Sequence, residues 1–391
     1  MAEEKPAKEP VRAPPPLDGL LVVSLEQAIA APFLTRQLAD LGARVIKIER
    51  PDGGDFARAY DQRARGLSSH FVWVNRGKQS MVLDLKQARD VAVVKGLALR
   101  ADVFVQNLAP GAADRMGLGA AALMAANPQL VVCDISGYGN SGPYRDRKAY
   151  DLMIQAESGF LSVTGTADEP AKAGSSIADI AAAMVGYSSV LAALLHRQKT
   201  GKGSLIDVSM LEALAEWMSY PLYYSFDGAA APERTGAAHA TIYPYGPFKA
   251  GDGSTVMLGI QNEREWAEFC SVALGDAALA HDSRFTSNEL RHQHRSALED
   301  IILQRFAGLT AGQIIALLGQ AKIANAKVNT MQDVWQHPQL RERQRWQNVD
   351  SPVGPLPSLK PPGTNSSFDH ACGAIPALGA DTSAILKEFN L

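Results

Sequence analysis

Apolar runs alternate with helical stretches from Leu20 onward, and this alternation constrains the fold more than any other feature. The runs read LLVVSL, RVIKIE, MVLDL, DVFVQ, QLVVCDI and SLIDVSM, with stretches such as APFLTRQLADLG between them. Strands that alternate with helices form βαβ units, so the sequence predicts an α/β fold with a mostly parallel sheet covered on both faces. Ligands bind such sheets at the carboxyl ends of the strands.

The chain divides where this alternation stops. Residues 1–16 are charged and rich in proline, which predicts a disordered tail. A large domain is predicted to begin at 17 and to continue to 212. Aromatic residues gather after it, so we expect a linker over 213–235 and then a second, smaller α+β domain.

Composition excludes several classes of protein. The 391 residues carry a formal net charge of −3, which gives no general field for nucleic acid. Three dispersed cysteines rule out a disulfide scaffold or a CxxC zinc motif, and no metal site is predicted. No apolar run reaches the roughly 18 residues that span a membrane. A signal peptide is not apparent, and we therefore expect a cytoplasmic protein.

Asp179 is the acid that the sequence singles out. It falls in SSIADIAAAMVG, in the first turn of a predicted helix. Such an acid commonly does no more than complement the helix macrodipole. It can also act as a carboxylate nucleophile, because the small residues around it leave it accessible and poorly solvated.

Six dispersed blocks, taken in order, resemble one family. They are AAPFLTRQLADLGARVIKIERPDGGD (30–55), NRGKQSMVLDL (75–85), ADVFVQNLAPGAADRMGL (101–118), DISGYGNSGPY (134–144), KAYD (148–151), and IAD with LAALLHRQKTGKG (191–203); PALGADT (376–382) belongs to the same pattern. The set is similar to the class III coenzyme A transferases, the CaiB/BaiF family, which includes formyl-CoA transferase and the related α-methylacyl-CoA racemases. The resemblance runs from about Leu17 to the C-terminus.

The resemblance implies a reaction and an architecture. Asp179 would attack an acyl-CoA to give a mixed anhydride and then an aspartyl-CoA thioester, which an acceptor acid attacks. Coenzyme A and acyl-CoA are substrates, and no tightly bound cofactor is implied. A Rossmann-like large domain would include 346–391, with the small domain at 236–320 and a linker at 321–345. Two subunits would form an interlocked homodimer, with no nucleic acid or membrane as partner.

The resemblance also assigns residues to coenzyme A. Phosphates need cations and the pantetheine needs a groove, and arginine suits both phosphate contact and adenine stacking. The expected coenzyme A-binding residues are Ala28, Ile29, Ala30, Arg50, Asn107, Leu108, Arg115, Met116, Lys148, Tyr150 and Asp151. Arg50 and Lys148 can equally be solvated charges, Met116 a core residue, and Asp151 an N-terminal helix acid.

The acyl substrate has its own expected contacts. Ile29 and Tyr60 stand where formyl-CoA transferase has glutamine and tryptophan, which does not favour oxalate or formate. The second-domain stretches 234–253 and 259–266 look like the subgroup that acts on mesaconate, itaconate or citramalate. The expected substrate residues are Tyr60, Arg234, His239, Tyr245 and Gly246. The segment YPYGP (243–247) is either an oxyanion-stabilising loop or an ordinary turn.

Three alternatives stay open beside intermolecular transfer from a donor such as succinyl-CoA. Racemases of the family carry a histidine at the position of Tyr150, and a phenol is a poor base near neutral pH. Racemisation or epimerisation is therefore disfavoured. Transfer between the C1 and C4 carboxylates of one molecule is the second alternative, and non-catalytic binding of coenzyme A is the third.

Overall fold

The computed structural model describes residues 12–391, which form two compact units. The large unit comprises the chain up to Ser158, Ala173–Met218 and Leu340–Leu391, and the small unit comprises Gly159–Lys172 and Ser219–Gln339. The chain therefore enters the small unit twice and finishes in the large one.

The strands and helices of both units are numbered here in chain order. The strands are β1 Leu21–Leu25, β2 Arg44–Glu49, β3 Lys78–Val82, β4 Val103–Gln106, β5 Val131–Ser136, β6 Leu205–Ser209, β7 Tyr245–Lys249, β8 Thr255–Gly259, β9 Ala324–Lys327, β10 Trp346–Val349 and β11 Leu356–Leu359. The helices are α1 Ala30–Asp40, α2 Ser69–Val74, α3 Ala88–Ala98, α4 Ala112–Arg115, α5 Ala120–Ala126, α6 Asp151–Glu157, α7 Phe160–Val163, α8 Ile177–Thr200, α9 Met210–Trp217, α10 Ser219–Tyr224, α11 Glu263–Glu268, α12 Asn288–Gln293, α13 Arg295–Phe306, α14 Ala311–Gln320, α15 Met331–Trp335, α16 Pro338–Glu342 and α17 Thr382–Phe389. Short 3₁₀ turns at Phe56–Ala59, Phe226–Gly228 and Ala277–His281 and a π turn at Phe269–Leu274 complete the secondary structure.

The large unit is built on a six-stranded parallel sheet, in the order β3-β2-β1-β4-β5-β6. Val22 of β1 lies opposite Val45 of β2 on one side and Val103 of β4 on the other. The predicted α/β class and parallel sheet are confirmed. The strand order reverses between β1 and β4, and such a switch opens a crevice at the carboxyl ends of the strands.

Helix α8 carries Asp179 and packs on the sheet beside α1. A Cβ added to Gly186 would lie 2.6 Å from Cδ1 of Leu34, so the close approach of α8 to α1 requires glycine there. Ala178, Ala181 and Ala182 are fully buried on the same helix. Small residues thus allow α8 to pack closely against α1.

The length and composition of α8 correct one sequence expectation. By its length and composition alone, helix α8 could cross a membrane, whereas the sequence analysis expected no such segment. The helix packs against α1, α9, β5 and β6. A buried core helix has the same composition as a membrane span, because both meet an apolar environment.

The small unit has its own antiparallel sheet and core. Strand β8 lies between β7 and β9, and Val256 pairs with both neighbours, at Phe248 and at Lys327. Trp266, Phe269 and Phe306 fill the core beneath this sheet.

Several predicted boundaries differ from the structure. Within the expected tail, residues 1–11 lie outside the described residues, but Ala13 pairs with Phe368 because its N–H donates to Ser367 O at 2.9 Å. The expected linker 213–235 contains most of α9 and all of α10. The expected linker 321–345 contains β9, which completes the small sheet, so these residues do not form a free connection.

Candidate active site

A cleft of about 340 Å³ opens where β1, β2 and β3 end. Three of the residues expected to bind coenzyme A line it together: Arg50, Leu108 and Met116. The cleft also takes in the segment 83–86 after β3, which ends in the exposed cation Lys86 and which sequence reasoning missed. The signal was present, since the apolar run MVLDL is followed directly by a polar residue, Lys86, at the same sheet edge.

Ala28 bends the first βα turn at the rim of this cleft. Its φ is 61°, an uncommon value for a residue other than glycine. Its N–H donates to Asp55 Oδ1 at 2.9 Å, and the neighbouring Gln27 N–H donates to Asn107 Oδ1 at 2.9 Å. Asn107 returns a bond from Nδ2 to Gln27 O, also at 2.9 Å. Asn107 therefore fixes the turn through both ends of its amide.

A buried charge network lies beneath this turn. It consists of three acids and three bases: Glu26, Glu49, Asp55, Lys47, Arg58 and Lys78. Lys47 Nζ donates to Asp55 Oδ2 at 2.6 Å, and Lys78 Nζ donates to Glu26 Oε1 at 2.6 Å. Opposite charges within hydrogen-bond distance offset part of the cost of removing each ion from water.

The cations of the charge network keep Glu26 and Glu49 ionised. Burial opposes ionisation of Glu26, but Lys78 and Lys47 outweigh it and hold the pKa of Glu26 below its ordinary value. Burial also opposes ionisation of Glu49, and there Arg58 and Lys47 bring the pKa down to about 2.

Asp179 lies in a different electrostatic setting. It is partly buried in the first turn of α8, and among the described residues no cation pairs with its carboxylate. Burial first, and then the charge of Asp151, raises the pKa of Asp179 to about 7. A poorly solvated carboxylate of raised pKa is a stronger base and a better nucleophile than an exposed one.

Asp151 positions the start of helix α8. Its Oδ1 accepts hydrogen bonds from the N–H groups of Ala178, at 2.8 Å, and Asp179, at 3.3 Å. The fully buried Gln155 donates from Nε2 to Asp151 Oδ2 at 2.6 Å. Gln155 also accepts from Ala173 N at 3.0 Å. Asp151 thus begins α6 and also accepts from the N-terminus of α8, a contact between two helices that the sequence prediction did not include.

Tyr60 and Tyr150 belong to the surroundings of Asp179. Burial raises the pKa of Tyr60, and the charges of Asp55 and Asp179 together with Tyr150 raise it further. Both tyrosine side chains are exposed, Tyr150 at 73%. Both side chains are therefore open to solvent.

Other expected coenzyme A residues are not among the residues that line the cleft. Ile29 and Ala30 are 3% and 2% exposed, because both begin α1 against the core. Lys148 is exposed in the loop before α6. Arg115 ends α4 beside Gly111, next in sequence to Met116.

The expected substrate residues of the small unit have mostly local partners. Arg234 donates to Thr166 O at 2.9 Å and to Ala167 O at 2.8 Å. His239 Nδ1 accepts from the N–H groups of Thr241 and Ile242, both at 3.1 Å. The proton of the neutral imidazole therefore lies on Nε2, which leaves His239 as a hydrogen-bond donor on that side.

The segment 243–247 is neither a free loop nor an ordinary turn. Tyr245 and Gly246 belong to β7, after a cis bond between Tyr243 and Pro244. Tyr245 stacks on His239 with ring centroids 5.2 Å apart. A Cβ at Gly246 would lie 2.9 Å from the Cβ of Ala238. The glycine is needed for this contact, which a prediction from turn residues could not reveal.

Among residues 12–391, no group of three or more His, Cys, Asp or Glu side chains is arranged to hold a metal ion.

Residues 17–382 match the family model described as CoA-transferase family III. The chain belongs to this family. The resemblance seen in the sequence is thereby confirmed, and with it the assignment as a family III CoA-transferase enzyme.

Named relatives of this CoA-transferase differ in acceptor. The chain is 34% identical over 377 residues to succinyl-CoA:glutarate CoA-transferase of Mus musculus, covering 95% of this chain and 86% of the relative. It is 33% identical over 349 residues to succinyl-CoA:mesaconate CoA-transferase of Haloarcula hispanica, covering 86% of each.

A solved structure agrees with the fold of this CoA-transferase. The crystal structure of a CaiB/BaiF family protein from Brucella suis matches it with a TM-score of 0.86 and 33% identity, covering 96% of this chain and 100% of the other.

Proposed function

We propose that this CoA-transferase moves coenzyme A from succinyl-CoA to a short dicarboxylic acid, with Asp179 as the nucleophile. The observation that carries the proposal is the Asp179 carboxylate, held at the N-terminus of α8 without a cation and with its pKa raised to about 7. Each acid of the charge network is paired with a cation and serves to hold the fold, so it is not available for attack.

The reaction divides into two balanced half-reactions. A carboxylate oxygen of Asp179 attacks the succinyl thioester carbon, and the coenzyme A thiolate leaves to give a mixed anhydride. The thiolate then attacks the aspartyl carbonyl and releases succinate, which leaves an aspartyl-CoA thioester. The acceptor carboxylate attacks this carbonyl and expels the thiolate, which gives a second mixed anhydride. The thiolate then attacks the acceptor carbonyl, and the anhydride bond breaks to release the Asp179 carboxylate and the new acyl-CoA. Asp179 is regenerated, and no proton is consumed.

The family names support a dicarboxylic acceptor. Proteins named for glutarate, D-citramalate and mesaconate transfer all match the chain at 31–34% identity. These acids share two carboxylates on a chain of four or five carbons, and some carry a branch. We propose this class as acceptor, with the branched acids mesaconate, itaconate and citramalate first among those to test.

We further propose a homodimer and a cytoplasmic location. Large apolar side chains are exposed over 217–226, including Tyr223 at 79% and Phe226 at 74%. Exposed aromatic groups of this kind are typical of protein interfaces. The three cysteines are free, which suits a reducing compartment.

The experiment combines acyl transfer with trapping of the covalent intermediate. Purified protein is mixed with succinyl-CoA and, in turn, glutarate, mesaconate, itaconate and citramalate, and new thioesters are measured by mass spectrometry. A sample with succinyl-CoA alone is digested to locate a coenzyme A adduct. Asp179→Ala is the test variant, and Asp300→Ala, which removes an exposed acid of α13, is the matched control.

We expect new thioesters and an adduct on the peptide that contains Asp179, both lost in Asp179→Ala and kept in Asp300→Ala. Transfer that survives in Asp179→Ala refutes the proposed nucleophile. Absence of transfer with every acid, together with uptake of solvent deuterium at the α-carbon, favours the racemase alternative. An isomerised thioester in place of deuterium uptake favours intramolecular transfer.

A further inference from the structure

His70 and Asp61 form a pair beside the phenol of Tyr60. His70 Nδ1 lies 3.4 Å from Asp61 Oδ2, and the His70 ring meets the Tyr60 ring edge to face with centroids 5.4 Å apart. The imidazole is 44% exposed, and among the described residues its Nε2 has no hydrogen-bond partner. The ring is therefore held from one side and open on the other.

Asp61 is itself held firmly. Its Oδ1 accepts from the N–H groups of Arg63 and Ser69, both at 2.9 Å, and its Oδ2 accepts from Ser69 Oγ at 2.7 Å. These hydrogen bonds keep the pKa of Asp61 well below its ordinary value, so the acid stays ionised. An ionised carboxylate beside Nδ1 favours a proton on that nitrogen and leaves Nε2 as the ring nitrogen without a partner among the described residues.

Helix packing and Tyr60 link the pair to α8, the helix that carries Asp179. Tyr60 ends the 3₁₀ turn Phe56–Ala59, and α2, which carries His70, packs against both this turn and α1, while α1 packs on α8. The charge of Asp179 also contributes to the raised pKa of Tyr60. Tyr60 thus connects the His70 ring to the surroundings of the nucleophile.

A dicarboxylic substrate leaves one carboxylate that does not react. This anion needs a donor close to, but separate from, the carbon that Asp179 attacks. A proton taken up at Nε2 makes His70 an imidazolium, whose N–H can donate to a carboxylate while Asp61 serves as counter-ion. The charge network offers no such group, because its cations are already paired.

We propose that His70, held by Asp61 and packed on Tyr60, binds the unreacting carboxylate of the dicarboxylic substrate and so determines the preference for dicarboxylic over monocarboxylic acyl groups. This inference rests on the proposed function. It adds the residue that selects the substrate class.

The test compares two ligands that differ only at the far end. Succinyl-CoA ends in a carboxylate, and butyryl-CoA has the same acyl length and ends in a methyl group. Their affinities are measured by titration calorimetry in the Asp179→Asn background, where no turnover disturbs binding. The variants are His70→Phe, which keeps a ring against Tyr60, and His70→Gln, which restores one N–H donor. His281→Phe changes an exposed histidine of the small unit and is the control.

We expect His70→Phe to lower the succinyl-CoA to butyryl-CoA affinity ratio about tenfold, which corresponds to one lost charge-assisted hydrogen bond. His70→Gln should restore part of the ratio, and His281→Phe should leave it unchanged. In variants that keep Asp179, the lost affinity should appear as a higher KM for the dicarboxylic acid, with kcat nearly constant.

An unchanged ratio in His70→Phe, with the variant folded as judged by its melting temperature, overturns the inference. Equal losses for both ligands also overturn it, because they indicate general damage to the pocket. Neither result concerns Asp179. The proposed function fails separately, if wild-type protein transfers coenzyme A to no acid.

Discussion

Two sets of buried acids in the large unit behave in opposite ways. Lys78 and Lys47 hold the pKa of Glu26 below its ordinary value, and Arg58 with Lys47 brings that of Glu49 to about 2. Burial and the charge of Asp151 raise the pKa of Asp179 to about 7. Burial opposes ionisation in all three, so the difference comes from the neighbouring charges. Neighbouring cations lower the pKa of the paired acids, and the acid without a cation keeps a raised pKa.

The largest expected effect is on transfer. Asp179→Asn should lower the rate of coenzyme A transfer at least about 1000-fold, because an amide cannot form the anhydride. The melting temperature should not fall, since no ion pair is lost. Steady-state kinetics and thermal unfolding check both statements. A variant that loses activity and stability together contradicts the contrast between the two regions.

Removing a cation from the charge network should instead lower the stability of the protein. Lys78→Met leaves Glu26 buried with Lys47 3.3 Å away as its remaining cation, and should cost about 3–5 kcal/mol of unfolding free energy. Urea unfolding measures this loss. Lys86→Met, which changes an exposed lysine on the cleft, should shift stability by less than about 0.5 kcal/mol. Equal effects of the two substitutions would show that the network is not stabilising.

The pH dependence of stability separates the two kinds of acid by sign. Glu49 has an ordinary pKa of 4.5 and a folded pKa of about 2. It stabilises the fold by about 3 kcal/mol above pH 4.5, and this contribution is lost as the pH falls toward 2.

Asp179 has an ordinary pKa of 3.8 and a folded pKa of about 7. Its contribution to the free energy of unfolding is therefore complete below pH 3.8 and is lost as the pH rises through 7. At pH 8, Glu49→Gln should therefore destabilise the protein, and Asp179→Asn should stabilise it by up to about 4 kcal/mol. Unfolding curves at pH 5 and pH 8 test this. If Asp179→Asn stabilises the protein no more at pH 8 than at pH 5, the folded state does not disfavour the ionised form of Asp179.

The smallest effect concerns Asp151. The proposed nucleophile, Asp179, must be ionised to attack, so the acid limb of kcat/KM should lie near pH 7 in the wild type. Asp151→Asn removes the second cause of the raised pKa and should move this limb down by on the order of one pH unit. The asparagine Oδ1 can still accept from the N–H groups of Ala178 and Asp179.

Glu157→Gln is the control for this shift, since it neutralises an acid at the other end of α6. An acid limb that stays in place in Asp151→Asn would show that burial alone raises the pKa of Asp179.

Much of the fold could be read from the pattern of apolar residues. The length of the apolar runs and their alternation with helical stretches predicted the strands of the large sheet, because a parallel strand buried on both faces is a short continuous apolar run. Strand β9 was missed, since its sequence ANAK is mostly exposed and polar and only its pairing with β8 makes it a strand. The pairing of Ala13 with Phe368 was missed for the same reason.

The site was recoverable only in part. Asp179 could be singled out because a first-turn acid followed by alanines is a local pattern. His70 gave no such signal, since its significance depends on Asp61 and Tyr60, which chain folding brings against its ring. The sequence pattern does not distinguish Lys47 and Lys78 from other polar residues in strands, although both are buried.

The sequence by itself determined the α/β class, the family and the acid at the start of α8, because these depend on local periodicity and on residue type at fixed spacing. The tertiary structure decided which acids are paired. Lys78 is 52 residues from Glu26, and Asp151 is 27 residues from Ala178. Electrostatic energy depends on distance in space and on solvation, neither of which can be read along the chain. An acidic residue is therefore a structural ion at one position and the proposed nucleophile at another.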